Sequence, residues 1–135
     1  MKTISPDQAA RLMEQGAVLV DIREPGEVAR LRIPGAVLLP LSQLGSPEPE
    51  LPRGGKVMFI CASGGRTGMY AGQLAARAQG SEAHVVAGGI AAWRAAGLPL
   101  DGAQPGAGGG FPTRFFGLMV LAGAAVAAAV TLLRG

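Results

Sequence analysis

Residues Lys56–Thr67 read Lys-Val-Met-Phe-Ile-Cys-Ala-Ser-Gly-Gly-Arg-Thr. Val57–Ile60 is an unbroken apolar run, the pattern of a strand buried on both faces, as in a parallel sheet. Cys61 then falls at the carboxyl end of that strand, where open α/β sheets place their ligands. Gly64 and Gly65 permit backbone conformations that other residues avoid, and a helix is predicted to begin near Arg66. Backbone N–H groups and the positive helix end therefore converge on one sulfur. Arg66 adds a full positive charge, and both effects lower a thiol pKa. A lone cysteine is more often a small, inert core residue. The strand, the glycines and the arginine together turn the reading toward a reactive thiol.

Strands and helices alternate on both sides of this junction. Ser5-Pro6-Asp7-Gln8 is a helix start, with serine at the N-cap, proline at the first position and glutamine three residues on. That helix is expected to run to about Gln15, with Gly16 as its stop. Val18–Ile22 reads as a buried strand, Pro25–Arg30 as a short helix, Pro34-Gly35 as a turn and Val37–Leu39 as a strand. Arg66–Ala78 is predicted as one long helix, Ala83–Ala87 as a strand, and Ile90–Ala96 as a helix closed by Gly97. This alternation predicts an α/β layered fold with helices on both faces of a sheet.

The 135 residues are 49% hydrophobic and 16% charged, against about 25% charged in an ordinary soluble domain. The composition excludes a disordered, highly charged chain. One cysteine and one histidine exclude a disulfide framework and leave too few ligands for a zinc site, so no metal or cofactor is expected. The net charge is +3, with 10 basic and 8 acidic side chains in residues 1–100. No Lys/Arg cluster points to nucleic acid.

The apolar excess is local. Phe115–Leu133 is 19 residues without a charge, 16 of them hydrophobic, bracketed by Arg114 and Arg134. As a helix it would span roughly 28 Å, close to the roughly 30 Å hydrocarbon core of a bilayer. A transmembrane helix is therefore expected over 114–134. Asp101–Thr113, with five glycines and two prolines, reads as a flexible linker, about 20 Å in root-mean-square span. Residues 1–100 form the remaining domain. The N-terminus has no apolar stretch of signal length, so this domain is expected to face the cytoplasm, which keeps a lone thiol reduced. Gly123, Ala124, Ala127 and Ala128 follow the small-xxx-small spacing of helix pairs in lipid, an arrangement open to a homodimer.

Residues 3–100 resemble the single-domain rhodaneses of the sulfurtransferase superfamily. The resemblance rests on four motifs. These are Val20-Asp21-Ile22-Arg23-Glu24 followed by Glu27, Ile33-Pro34-Gly35-Ala36, the Cys61 loop, and Gly88-Gly89-Ile90-Ala91-Ala92-Trp93 with Gly97-Leu98-Pro99. It implies a five-stranded parallel sheet flanked by helices and a persulfide on Cys61 during turnover. Four residues separate Cys61 from Arg66. In this superfamily that length suits sulfur transfer, whereas the related phosphatases have one residue more.

The implied reaction is covalent and two-step. The Cys61 thiolate takes sulfur from a donor such as thiosulfate and passes it to a thiol or cyanide. Ala62, Ser63, Gly64, Gly65, Arg66 and Thr67 would form the substrate-binding loop. Its amides would hold negative charge on the persulfide, Arg66 would steer the anionic donor, and Ser63 and Thr67 would supply hydroxyls. Asp21 and Arg23 are expected to form an ion-paired brace behind the loop, Trp93 to pack its helix on the sheet, and His84 to be structural.

This sequence departs from the family in two places. Ala62 stands where many members carry a basic residue, which favours a neutral or protein-borne donor over thiosulfate. Leu31-Arg32 replaces a frequent Gly-His and reads as structural variation. An enzyme and a persulfide carrier that discharges to one protein partner both remain open.

Overall fold

The computed structural model describes residues 1–102. Five strands form one sheet: β1 (Lys2–Ile4), β2 (Val18–Asp21), β3 (Val37–Leu38), β4 (Lys56–Ile60) and β5 (Glu82–Val86). Their order is β1-β5-β4-β2-β3, and every pairing is parallel. The apolar run Val57–Ile60 lies in the centre, between β2 and β5, fully buried.

The two-residue period of β4 divides the core. Met58 and Ile60 pack on one face with Ala9, Leu19, Ile33, Val86, Ile90 and Trp93. Val57, Phe59 and Cys61 pack on the other with Val20, Ile22, Leu39, Leu74 and Ala78. Cys61 continues the alternation one step past the strand, so its side chain joins the second face. Burying one side chain the size of Phe59 contributes about 1.5–3 kcal/mol.

Helix α1 (Pro6–Glu14) starts as the sequence predicts. The Ser5 hydroxyl accepts from the Gln8 amide at 3.1 Å, and the Gln8 side chain accepts from the Ser5 amide at 2.9 Å. Gly16 adopts φ +101 after the helix. Helix α2 (Pro25–Arg30) has a second reciprocal cap, in which the Glu24 amide donates to Glu27 Oε2 at 3.0 Å.

The predicted long helix over Arg66–Ala78 is instead two helices, α3 (Gly65–Met69) and α4 (Ala71–Arg77), meeting at Tyr70. Gly68 and Gly72 flank the break and lower helix propensity on both sides. Tyr70 packs its ring against the second core face. Helix α5 covers Gly89–Ala95, and a 3-10 turn covers Leu41–Gln43. The strands predicted at Val18–Ile22 and Val37–Leu39 stop one residue early, and the last strand begins one residue early, at Glu82.

Arg32 and Asp101 form an isolated antiparallel bridge, their amides donating reciprocally at 2.8 and 2.7 Å. Asp101, read from sequence as the first linker residue, is thus hydrogen-bonded to the domain. The rest of the expected linker, beyond Gly102, and the expected transmembrane helix over 114–134 lie outside the described residues. Among the described residues no helix is long and apolar enough to cross a membrane.

Candidate active site

The chain leaves β4 at Cys61, turns through Ala62, Ser63 and Gly64, and enters α3 at Gly65. Gly64 makes the turn at φ +101, in the left-handed region. This folds the loop back so that the Gly64 amide donates to Cys61 Sγ at 3.0 Å. The Thr67 hydroxyl donates to the Gly64 carbonyl at 3.0 Å and lies 3.7 Å from Sγ. Burial pushes the Cys61 thiol up. The Thr67 amide, the Thr67 hydroxyl, and the Gly64 and Ser63 amides outweigh that effect and bring it below its ordinary value. The loop is therefore built to hold negative charge on sulfur, mainly by backbone dipoles.

Helix α5 fastens the other side of the loop. The Ile90 amide donates to the Cys61 carbonyl at 2.8 Å, and the Ala91 amide to the Ala62 carbonyl at 3.1 Å. This approach requires glycine at Gly89, and Gly88 and Gly89 both adopt positive φ, +72 and +61. A Cβ on Gly89 would overlap the Cys61 carbonyl oxygen and lie 2.6 Å from the Ala62 carbonyl carbon, and one on Gly88 would lie 2.6 Å from Ala92 Cβ. Sequence alone marks this glycine pair only as part of a motif. Its physical role is to let α5 reach the loop.

Arg66 does not stand alone above the thiol. Its Nη1 and Nη2 donate to Glu27 Oε2 and Oε1, both at 2.8 Å. The Arg66 guanidinium holds the Glu27 carboxyl at about 2, well below its ordinary 4.5. Glu27 in turn raises Arg66. No role for Glu27 was read from the sequence. Its one local signal is the Glu24-to-Glu27 cap spacing, since the contact itself joins residues far apart in the chain.

Asp21 pairs in register with Ile60, the residue before Cys61, and Asp21 and Arg23 are both buried. Arg23 Nε donates to Asp21 Oδ1 at 3.0 Å, and Nη2 donates to Asp21 Oδ2 at 2.8 Å and to the Leu31 carbonyl at 2.6 Å. The two side chains form a buried ion pair that also satisfies the Leu31 carbonyl. Among the loop residues, Ser63 and Gly65 are exposed, Ala62, Gly64 and Arg66 half-buried, and Thr67 buried. His84 pairs in register with Met58, and its Nε2 lies 2.8 Å from Glu82 Oε2. Trp93 is buried and donates from Nε1 to the Pro99 carbonyl at 2.9 Å. Among the described residues no group of three His, Cys, Asp or Glu side chains gathers to hold a metal.

Comparison with known proteins gives one picture. The rhodanese-like domain family profile matches residues 5–96. An uncharacterized protein of Synechocystis sp. is 39% identical over 99 residues, which cover 72% of this chain and 54% of that protein. The chain therefore spans about half the length of that curated relative. Among solved structures, a rhodanese-related protein from Thermoplasma volcanium is 27% identical with a TM-score of 0.65, covering 75% of this chain and 98% of that one. A thiosulfate sulfurtransferase from Pseudomonas aeruginosa is 27% identical with a TM-score of 0.66, covering 77% of this chain and 20% of that one.

Proposed function

The chain belongs to the rhodanese-like domain family, a sulfur-transfer family, and from that premise we propose that it is a sulfurtransferase carrying sulfane sulfur as a persulfide on Cys61. The observation that carries the reading is the Cys61 sulfur accepting the Gly64 amide at 3.0 Å, inside a loop whose amides favour the thiolate. In the first step the thiolate attacks the terminal sulfur of a donor. A new S–S bond forms at Cys61, the donor's own S–S bond breaks, and the leaving group departs with the electron pair. With thiosulfate that leaving group is sulfite. In the second step a thiol or cyanide attacks the outer persulfide sulfur, and the Cys61 thiolate is released.

The loop amides stabilise the charge on Sγ in the resting state and would stabilise the charge on the outer persulfide sulfur in the loaded state, as an oxyanion hole stabilises oxygen. Mass spectrometry tests this directly. Donor treatment is expected to add 32 Da per chain, about the mass of one sulfur atom transferred to the nucleophile. Absence of the adduct, or its persistence in Cys61→Ser, would overturn the reading. Ala62, uncharged beside the thiol, favours a second reading as a carrier. In that case the persulfide forms but discharges only to a partner protein, and neither cyanide nor a small thiol removes it.

The apolar segment 115–133 supports a single-pass membrane anchor with the domain on the cytoplasmic side, and its small-residue spacing supports pairing of two such helices. Full-length protein is then expected to resist alkaline extraction from membranes. Release by alkali would remove the anchor from the proposal and leave the sulfur chemistry untouched.

A further inference from the structure

Resting on the sulfur-transfer reading, we propose that Glu27 sets donor specificity by occupying Arg66, so that the Cys61 site favours donors of low negative charge over dianions. Arg66 is the one cation in the segment Cys61–Thr67. Both of its terminal nitrogens face Glu27 oxygens at 2.8 Å. Glu27 is itself held in place, because its Oε2 also accepts the Glu24 amide at 3.0 Å in the cap of α2. The Arg66 and Glu27 side chains are 33% and 37% exposed, so an arriving anion meets the pair with its charge already matched. Bidentate carboxylate pairing is the arrangement a guanidinium would otherwise offer to an oxyanion.

The neighbouring cation Arg23 is closed as well, its guanidinium spent on Asp21 and the Leu31 carbonyl in a buried position. Ala62 contributes no charge. What faces the sulfur is a set of backbone dipoles, already engaged by the thiolate. A dianion approaching that thiolate finds both Arg66 and Arg23 already paired, while a donor with one negative charge fewer meets less repulsion. Glu27 acts through Arg66 and is a positioning residue.

Thiosulfate and methanethiosulfonate make a matched pair of probes. They share a sulfonyl-bound terminal sulfur, and a methyl group in one replaces a charged oxygen in the other. With each, Cys61 Sγ bonds to the terminal sulfur and the donor S–S bond breaks. Sulfite or methanesulfinate leaves with the electron pair, and no oxidant or reductant is needed. The measurement is the rate constant of Cys61 persulfide formation with each donor on the full chain.

The natural chain is expected to react faster with methanethiosulfonate. In Glu27→Gln the thiosulfate-to-methanethiosulfonate ratio is expected to rise about tenfold, equivalent to about 1.4 kcal/mol. A merely structural role would slow both donors together and leave the ratio unchanged, which overturns the proposal. A second arm needs no variant. Raising KCl from about 0.02 to about 0.5 M shortens the screening length severalfold, so the ratio in the natural chain is expected to rise. A fall would mean that Arg66 is free to attract the dianion, and it overturns the proposal even if Glu27→Gln does not fold. If neither donor loads Cys61 while iodoacetamide still alkylates it, the sulfur-transfer reading itself fails, and this proposal falls with it.

Discussion

Two arginine–carboxylate pairs lie close together, and they do different things. Arg23–Asp21 is made by residues two apart, is buried, and also satisfies the Leu31 carbonyl. Arg66–Glu27 is made by residues 39 apart, on α3 and α2, and is about one-third exposed. The chemistry of the contact is the same, and burial separates the outcomes. A buried pair cannot lose one partner without leaving a bare charge in a medium that solvates it poorly. A rim pair that loses one partner leaves the other facing water, at small cost. One pair is therefore part of the frame, and the other lies at the rim, where the proposal gives it a part in the choice of donor.

The largest expected effect tests the frame. Asp21→Ala leaves Arg23 buried and unpaired and is expected to destabilise the domain by about 3–5 kcal/mol, read as a lower urea midpoint. A midpoint shift as small as that of Glu27→Gln would break the distinction between the pairs. Of intermediate size is the thiol beside the rim pair. Thr67→Val removes the hydroxyl that lowers the Cys61 thiol while keeping the backbone amides. The pH midpoint of iodoacetamide alkylation is expected to rise.

The smallest effect is in the rim pair itself. Arg66 holds the Glu27 carboxyl at about 2 in the folded chain, below its ordinary 4.5. A depressed folded value means that stability is gained as pH rises and the unfolded chain releases the proton. This contribution is fully present above about 4.5 and is lost as pH falls toward 2. Because the pair is part-exposed, it amounts to less than about 1 kcal/mol. Urea midpoints of the natural chain and Glu27→Gln are expected to differ most above pH 5 and to converge toward pH 2.

What could be read from the sequence was mostly local. The Ser5–Gln8 cap, the continuous apolar strand at β4 and the glycine turn after Cys61 each carry their cause within a few residues. Strand β1 does not. Its three residues, two of them polar, show no usable alternation, and they are extended because Thr3 and Ile4 pair with Val85 and Val86 across the sheet. The break at Tyr70 had a local signal in Gly68 and Gly72, outweighed in the reading by the overall helical pattern. At the site, the thiol and its loop were legible because backbone geometry follows from glycine and helix position. The pairing of Arg66 with Glu27 was not, because it depends on where α2 lands against α3. Asp21 and Arg23 lie close enough in sequence for their pairing to be foreseen.

The Arg32–Asp101 bridge has a mechanical consequence. Two reciprocal backbone hydrogen bonds and an exposed ion pair at 3.4 Å clamp the last described residues to the segment after α2. Tension applied to the chain beyond Gly102 is borne first by this clamp, at a point outside the sheet. The clamp works as a strain relief, like the collar on a cable. A tug on the tail loads two hydrogen bonds next to Leu31 before any of it reaches the strand that carries Cys61.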